Sequence, residues 1–250
     1  MKKRDVRLTT AAHRPAFDSF YEAFRSAQGR EGWRSGEVLR YFLEAGYRAV
    51  RGRLITGEAW DANEAEYMKI VKFCRNPKET MSDLAVMLGA MTLALSADPV
   101  DFVGPVFSEI AADSGMGQFF TPHELSYLIA KLSIPPREEA LADKQYITIQ
   151  EPACGVGGMI LATNVALREA GYDVAREVHW FAVDVDRRAI SAAYLQAALT
   201  DCSGVFVHGN TLSLETWGTS ITPAAFVYPK TFERADRAMP EPKPGQMELF

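Results

Sequence analysis

A short glycine-rich segment after an apolar run carries the clearest chemistry in the sequence. Residues 151–158 read Glu-Pro-Ala-Cys-Gly-Val-Gly-Gly, between the β-branched run 145–150 and an apolar helical pattern. A strand, a glycine turn and a helix in this order place backbone N–H groups and a helix N-terminus at the carboxyl edge of a sheet. Gly155, Gly157 and Gly158 let a ligand approach the main chain because they have no Cβ. The segment predicts a nucleotide pocket, and a tight βα loop without a ligand is the alternative.

Acidic residues at two predicted strand ends indicate which nucleotide the pocket suits. The glycine-rich motif of dinucleotide-binding folds would have glycine or alanine at the position of Ile160 and no acidic residue at the position of Glu151. Glu151 suits an ammonium group rather than a pyrophosphate. Asp184 ends the second predicted strand, where a carboxylate can accept both ribose hydroxyls, while Asp186 can instead cap the following helix. These positions favour S-adenosylmethionine, whose methionine end carries an amino group, over NAD.

The end of the third predicted strand leaves two interpretations open. Residues 207–212 read Val-His-Gly-Asn-Thr-Leu. Asn210 can hydrogen-bond the edge of an adenine ring, which would complete a nucleoside pocket across three neighbouring strands. Asparagine is also a common turn residue, because its side chain hydrogen-bonds the backbone two residues on.

The periodicity around these residues predicts two kinds of structure. Residues 16–112 repeat large apolar side chains every three or four positions, which is typical of helices, and Asp101 can cap one of them. From residue 118 onward strand and helix patterns alternate, which predicts a parallel sheet covered on both faces. The predicted strands are 145–150, 179–183 and 205–208, with a further one at 224–228, and the predicted helices between them are 159–170 and 187–199. We therefore predict three parts: a helical N-terminal domain (1–112), a nucleotide-binding domain (113–228) and a Pro-rich tail (229–250).

Composition limits the classes of protein and of partner. The chain has 250 residues, 48% of them hydrophobic, and a net charge of −5. An acidic chain does not favour a broad DNA-binding face, so any DNA contact is expected to be local or made by a partner. Three distant cysteines and four scattered histidines predict buried thiols and no metal site. No apolar run approaches the roughly 18 residues of a membrane span and no signal peptide is recognisable, so we predict a cytoplasmic protein.

Four segments, taken in order, resemble the motifs of the N-6 adenine DNA methylase family, the modification subunits of type I restriction systems. The first two are 117–122, Gly-Gln-Phe-Phe-Thr-Pro, and 151–159, the glycine loop with Met159. The others are 181–186, Phe-Ala-Val-Asp-Val-Asp, and 209–212, Gly-Asn-Thr-Leu. Residues 101–104, Asp-Phe-Val-Gly, resemble the segment that leads into the first motif.

The resemblance covers roughly residues 100 to 212 and implies a fold, a cofactor and a substrate. The fold would be α/β, a truncated Rossmann-like S-adenosylmethionine-dependent methyltransferase sheet preceded by an all-helical domain. The substrate would be adenine in duplex DNA. The first motif would fold over the methionine part of the cofactor. The implied cofactor-binding residues are Gln118, Phe119, Phe120, Thr121, Pro122, Glu151, Ala153, Gly155, Gly157, Asp184 and Asn210.

One motif of the family is absent. Family members have Asn-Pro-Pro-Tyr or Asn-Pro-Pro-Phe, whose asparagine side chain and proline carbonyl hold the target N6 amino group while the aromatic ring stacks on a flipped base. These 250 residues contain no such tetrapeptide, so the catalytic residues stay unassigned. Three functions remain open: a DNA adenine methylase or part of a split one; a catalytically inactive relative acting as a regulator, an anti-restriction factor or a clamp-associated subunit; and a methyltransferase for a small molecule or a protein.

The C-terminus adds a separate prediction. Residues 246–250 read Gln-Met-Glu-Leu-Phe and resemble the pentapeptide that binds the bacterial sliding clamp. In such a peptide Gln246, Met247, Leu249 and Phe250 would make the contacts, and the alternative is an apolar terminus that packs on its own domain. The predicted partners are thus DNA, directly or through partner subunits, restriction-modification subunits, the sliding clamp, and a second copy covering an open sheet edge.

Overall fold

The computed structural model describes residues 14–97, 99–114 and 121–228. The segment 118–120 of the first motif and the predicted clamp-binding segment 246–250 lie outside these ranges. The predictions for Gln118, Phe119 and Phe120 and for the tail therefore stay predictions.

The first part of the described chain is helical, as predicted. Phe17, Phe20 and Phe24 recur on one face of the first helix and are all buried, and Met87 and Met91 belong to the same hydrophobic cluster. Their three- and four-residue spacing therefore reflects a shared core. The helices are α1 (Arg14–Glu31), α2 (Ser35–Arg51), α3 (Glu58–Phe73), α4 (Pro77–Ala97) and α5 (Val103–Ser114).

A buried carboxylate fastens the end of α1 to the start of α4. Glu31 is 2% exposed and accepts hydrogen bonds from the backbone N–H groups of Arg75 (2.7 Å) and Asn76 (3.1 Å) and from the hydroxyl of Thr80. Burial alone would raise the pKa of Glu31, but these hydrogen bonds outweigh it and the pKa is lowered. The ionised carboxylate thus satisfies donors that the start of α4 leaves without intrahelical partners.

The second part is a four-stranded mixed sheet in the order β1-β2-β3-β4. Strands β1 (Ile147–Glu151), β2 (Val178–Asp184) and β3 (Gly204–Asn210) are parallel, as predicted. The expectation of a wholly parallel sheet is wrong, because β4 (Glu215–Ile221) returns antiparallel to β3 through a tight turn. The predicted strand at 224–228 is also wrong, since this segment forms the short helix α11 (Pro223–Val227).

Two crossover helices lie on one face of the sheet. They are α8 (Gly158–Glu169), between β1 and β2, and α10 (Arg187–Ala198), between β2 and β3. Right-handed crossovers that add strands in one direction place both helices on the same side. Their apolar side chains share a cluster with Trp180 and Phe206 of the sheet, whereas Val183, Val205 and Val207 form a separate cluster.

Helix α10 is buried on all sides because it lies between the sheet and the helical region, the part of the chain that forms α1 to α5. All nine residues from 189 to 197 are buried. Ile190, Ala193 and Tyr194 belong to the cluster of the sheet, while Ala192 and Leu195 belong to that of α1, α2 and α4. The two parts of the chain therefore share an interface, and the predicted boundary at residue 112 stays a prediction.

The remaining helices are α6 (His123–Ser133), α7 (Arg137–Ala140) and α9 (Val174–Glu177). Helix α6 packs on α8, with Tyr127 and Lys131 both hydrogen-bonded to the carboxylate of Glu169. The helix that follows the first predicted motif is thereby held beside the helix that follows the glycine loop.

Two further sequence expectations can be compared with the structure. The three cysteines, Cys74, Cys154 and Cys202, are free and buried, as predicted. Helix α4 is, by length and a mean hydropathy of 1.4, apolar enough to cross a membrane, whereas no such segment was expected from the sequence. Seven of its residues are buried in the protein, as in the core helix of a globular domain.

Replacing Glu31 with glutamine should destabilise the protein by about 1–3 kcal/mol, because charge-assisted hydrogen bonds to buried donors are lost. The lowered pKa means that the ionised form stabilises the fold above the ordinary value of 4.5 and that this contribution disappears as the pH falls through the lowered pKa. Urea unfolding at pH 7 and pH 4 measures both effects, and the difference between wild type and Glu31→Gln should shrink in acid.

Glu22→Gln is the matched control, since Glu22 is exposed on the same helix. It should change the free energy of unfolding by less than about 0.5 kcal/mol. Equal effects of the two substitutions would contradict the role of the Glu31 carboxylate.

Candidate functional site

A cavity of about 330 Å³ lies at the carboxyl ends of β1 and β2. Ligands of open α/β sheets bind at this edge. The cavity joins the glycine loop to residues from the helical region. Its lining consists of Asp101, Thr121, Glu151, Ala153, Cys154, Gly155, Val156, Gly158, Met159, Asp184 and Ala189.

The glycine loop has a backbone that other residues would not adopt easily. Gly155 has φ of +53° and Gly157 has φ of +95°, both in the left-handed region that glycine tolerates best. A Cβ on Gly157 would also lie 3.1 Å from Cα and 3.2 Å from Cβ of Ala193 in α10. Gly157 does not line the cavity; it shapes the loop and lets α10 pack against it.

Asp184 links the end of β2 to this loop. Its Oδ2 accepts a hydrogen bond from the N–H of Gly155 at 2.7 Å, and its Oδ1 accepts one from the N–H of Asp186 at 2.8 Å. Each carboxylate oxygen can accept a second hydrogen bond, so these contacts leave capacity for a ligand. Asp186 does cap α10, because its Oδ1 accepts from the N–H of Arg188 at 2.8 Å.

Three carboxylates face the cavity: those of Asp101, Glu151 and Asp184. Glu151 is partly exposed, and its Oε1 accepts a hydrogen bond from the N–H of Ala153 at 3.3 Å. Within the described ranges no three acidic, histidine or cysteine residues come close enough to hold a metal ion. The acidic lining suits an organic cation with hydroxyl groups rather than a phosphate.

Asp101 is a residue of this site that sequence reasoning assigned only as a helix cap. Its Oδ1 does accept a hydrogen bond from the N–H of Gly104 at 2.8 Å near the start of α5, and another from Nε2 of Gln196 at 2.9 Å. Burial raises the pKa of Asp101, although these hydrogen bonds and nearby His123 oppose the shift. Its place at the start of a segment resembling a family motif was the available signal.

Gln196, in the middle of α10, joins three segments of the chain. Its Nε2 donates to Asp101 and, at 2.8 Å, to the carbonyl of Val156 in the glycine loop. Its Oε1 accepts from the N–H groups of Phe102 (2.7 Å) and Val103 (3.2 Å). The buried carboxamide thus uses both of its donors and both of its acceptor positions. Sequence reasoning missed it, since a single glutamine in a helix gives no signal of its partners.

The thiol of Cys154 also lines the cavity. Burial raises its pKa well above the ordinary value, and the nearby carboxylates of Asp184 and Glu151 add to the shift. The thiol therefore stays protonated and packs as a small apolar group.

Besides Gly157, two predicted cofactor residues lie outside the cavity lining. Pro122 precedes α6 as its N-cap residue, next to cavity-lining Thr121. Oδ1 of Asn210 accepts from the N–H groups of Leu212 (2.9 Å) and Ser213 (3.3 Å), so this residue shapes the turn before β4. Its contact with adenine stays a prediction.

Two solved structures that resemble this chain do so at low similarity. One is a protein assigned as a class I S-adenosylmethionine-dependent methyltransferase from Listeria monocytogenes, 15% identical with a TM-score of 0.43; the match covers 77% of this chain and 51% of that one. The other is the methyltransferase subunit of the type I restriction-modification system from Streptococcus thermophilus, 12% identical with a TM-score of 0.42, covering 77% and 57%. The chain thus spans little more than half the length of these proteins. No curated protein sequence matches it.

A family model gives the decisive comparison. The model described as N-6 DNA methylase matches residues 106–232, just over half of the 250 residues. The matched range contains the glycine loop, the ends of β1 and β2, and the helices α8 and α10. The cofactor of this family is S-adenosylmethionine, in agreement with the prediction. The chain belongs to the N-6 DNA methylase family.

Proposed function

We propose that this protein binds S-adenosylmethionine in the cavity at β1 and β2 and forms the cofactor-binding part of an adenine-N6 DNA methyltransferase. The observation that supports this most directly is the meeting of three carboxylates with a glycine loop at the carboxyl edge of the sheet. S-adenosylmethionine is a cation with two ribose hydroxyls, and it supplies a methyl group activated by its positive sulfur. The volume of about 330 Å³ is within the range of small-molecule sites.

From the order of the strands we propose which part of the cofactor each acid holds. Glu151, at the end of β1 beside the glycine loop, would hold the methionine ammonium group. Asp184, one strand further, would accept the ribose hydroxyls with the lone pairs that Gly155 and Asp186 leave free. The adenine would then lie toward the end of β3, at the turn that contains Asn210. The hydrogen bonds that both oxygens of Asp184 accept hold the loop and the ribose site in one arrangement.

The residues that hold the target base would come from a DNA-binding partner subunit. Two observations support this: the net charge of the sequence is −5, and α6 exposes an apolar stripe. A stripe at three- and four-residue spacing is typical of a helix face that another surface covers. The stripe consists of Leu125, Leu128, Ile129 and Leu132, which are 43–80% exposed. In the described sheet β1 is also an edge strand.

The Gly157→Ala variant should bind S-adenosylmethionine at least about 10-fold more weakly, measured by isothermal titration calorimetry. An alanine at φ of +95° is strained, and its Cβ would press on Ala193, so the loop must move. Gly89→Ala is the matched control, because Gly89 lies in α4 and the added Cβ would meet no atom within 4 Å beyond the local backbone of its own helix. The control should bind as the wild type does, and unchanged affinity in Gly157→Ala would contradict the placement of the site.

The proposed reaction is tested by measuring N6-methyladenine in the DNA of host cells by mass spectrometry. Deleting the gene should lower the modified adenine, wild type should restore it, and Gly157→Ala should not. The purified chain should bind S-adenosylmethionine yet transfer no tritiated methyl group to mixed DNA without its partner. Transfer by the chain alone would contradict the need for a partner. Unchanged adenine methylation after deletion, with intact cofactor binding, would instead support a non-catalytic regulator.

A further inference from the structure

We infer that Asp101, contributed by the helical region, is a further cofactor-binding residue that holds the methionine ammonium group together with Glu151. The inference rests on the proposed binding of S-adenosylmethionine. It adds a residue that lies outside the sheet, and it assigns part of the cofactor site to the helical region.

The position of Asp101 places its carboxylate at the methionine end of the site. Asp101 lines the cavity, and its Oδ2 lies 2.8 Å from the position that a Cβ on Gly158 would occupy. Gly158 begins α8, directly after the glycine loop. The ribose site at Asp184 is at the end of β2, so the methionine part must extend toward β1 and this loop. Asp101 and Glu151 therefore face the same end of the ligand.

The residues around Asp101 accommodate both oxygens of its carboxylate, whereas a helix cap would need only one. A cap needs one acceptor oxygen, which Oδ1 supplies to Gly104. Oδ2 fills a space between two glycines, because a Cβ on Gly104 would collide with it and a Cβ on Gly158 would press against it. Gln196 fixes the orientation of the carboxylate through Oδ1. Serine or asparagine would serve a cap equally well, and neither would place a charge at the cavity.

The carboxylate of Asp101 meets little positive charge in the described part of the chain, where nearby His123 opposes the rise in its pKa without cancelling it. No lysine or arginine there forms an ion pair with it. An ionised carboxylate in such surroundings is unfavourable unless a cation approaches it. The methionine ammonium group supplies that cation. S-adenosylmethionine therefore binds more tightly than it would through its contacts with the sheet residues alone. Asp101 therefore favours S-adenosylmethionine over uncharged nucleosides.

The test compares three ligands on the Asp101→Asn variant by isothermal titration calorimetry. S-adenosylmethionine and S-adenosylhomocysteine both carry the ammonium group, whereas 5′-methylthioadenosine keeps the adenosine and the sulfur but has no charge. The variant should lose about 10- to 100-fold in affinity for the first two, as expected for a charge-assisted hydrogen bond, and should bind methylthioadenosine as the wild type does. Asp186→Asn is the matched control, because Asp186 caps α10 at the same edge without lining the cavity, and its affinities should stay within about 3-fold.

Each other outcome overturns the inference in a distinguishable way. Asp101→Asn affinities within about 3-fold of wild type for all ligands would show that Asp101 does not contact the cofactor. An equal loss for methylthioadenosine would show a structural role, and a loss confined to S-adenosylmethionine would place Asp101 at the sulfur. A wild type that binds no S-adenosylmethionine would refute the proposed function itself. Asp101→Ser keeps a cap for Gly104 and repeats the test if the asparagine variant unfolds.

Discussion

Four hydrogen bonds converge on the buried carboxamide of Gln196 and hold the glycine loop against the helical region. Two of them fix the backbone at the start of α5, one fixes the carbonyl of Val156 and one fixes Asp101. A buried amide that lost any of these partners would leave polar groups without hydrogen bonds, at a cost of about 1–3 kcal/mol each. The loop and the carboxylate of Asp101 are therefore positioned by the same side chain.

This constraint explains the unusual composition of α10. Helix α10 packs between the sheet and the helical region. It therefore has alanine at the positions where the glycine loop and the neighbouring helices come close to it. Ala193 lies under the loop at Gly157, and Ala192 belongs to the cluster of the helical region. Larger side chains at these positions would push the loop away from α10. On the sheet side, Tyr194 is fully buried and packs edge-to-face on Tyr47 of α2. Tyr47 in turn hydrogen-bonds Ser220 of β4 at 2.5 Å.

The sequence predicted those parts of the site that are formed by residues close together along the chain. The glycine loop, the three parallel strands and the acids at their ends were found because strand, turn and helix signals follow one another directly. Residues 224–228 were misread because a short apolar run does not distinguish a strand from a helix. Pro223 at the first position of α11 was the overlooked helix signal. The antiparallel return of β4 depends on pairing with β3, which no periodicity in β4 itself reveals. Asp101 and Gln196 were missed as a pair because 95 positions separate them.

Hydrogen–deuterium exchange measured with and without S-adenosylmethionine tests the central claim, that the helical region and the sheet build one cofactor site. The shared contacts of Gln196 predict that the cofactor slows exchange at residues 102–104 together with residues 153–158. Protection of the glycine loop alone, with exchange at 102–104 unchanged, would contradict a site built from both parts of the chain.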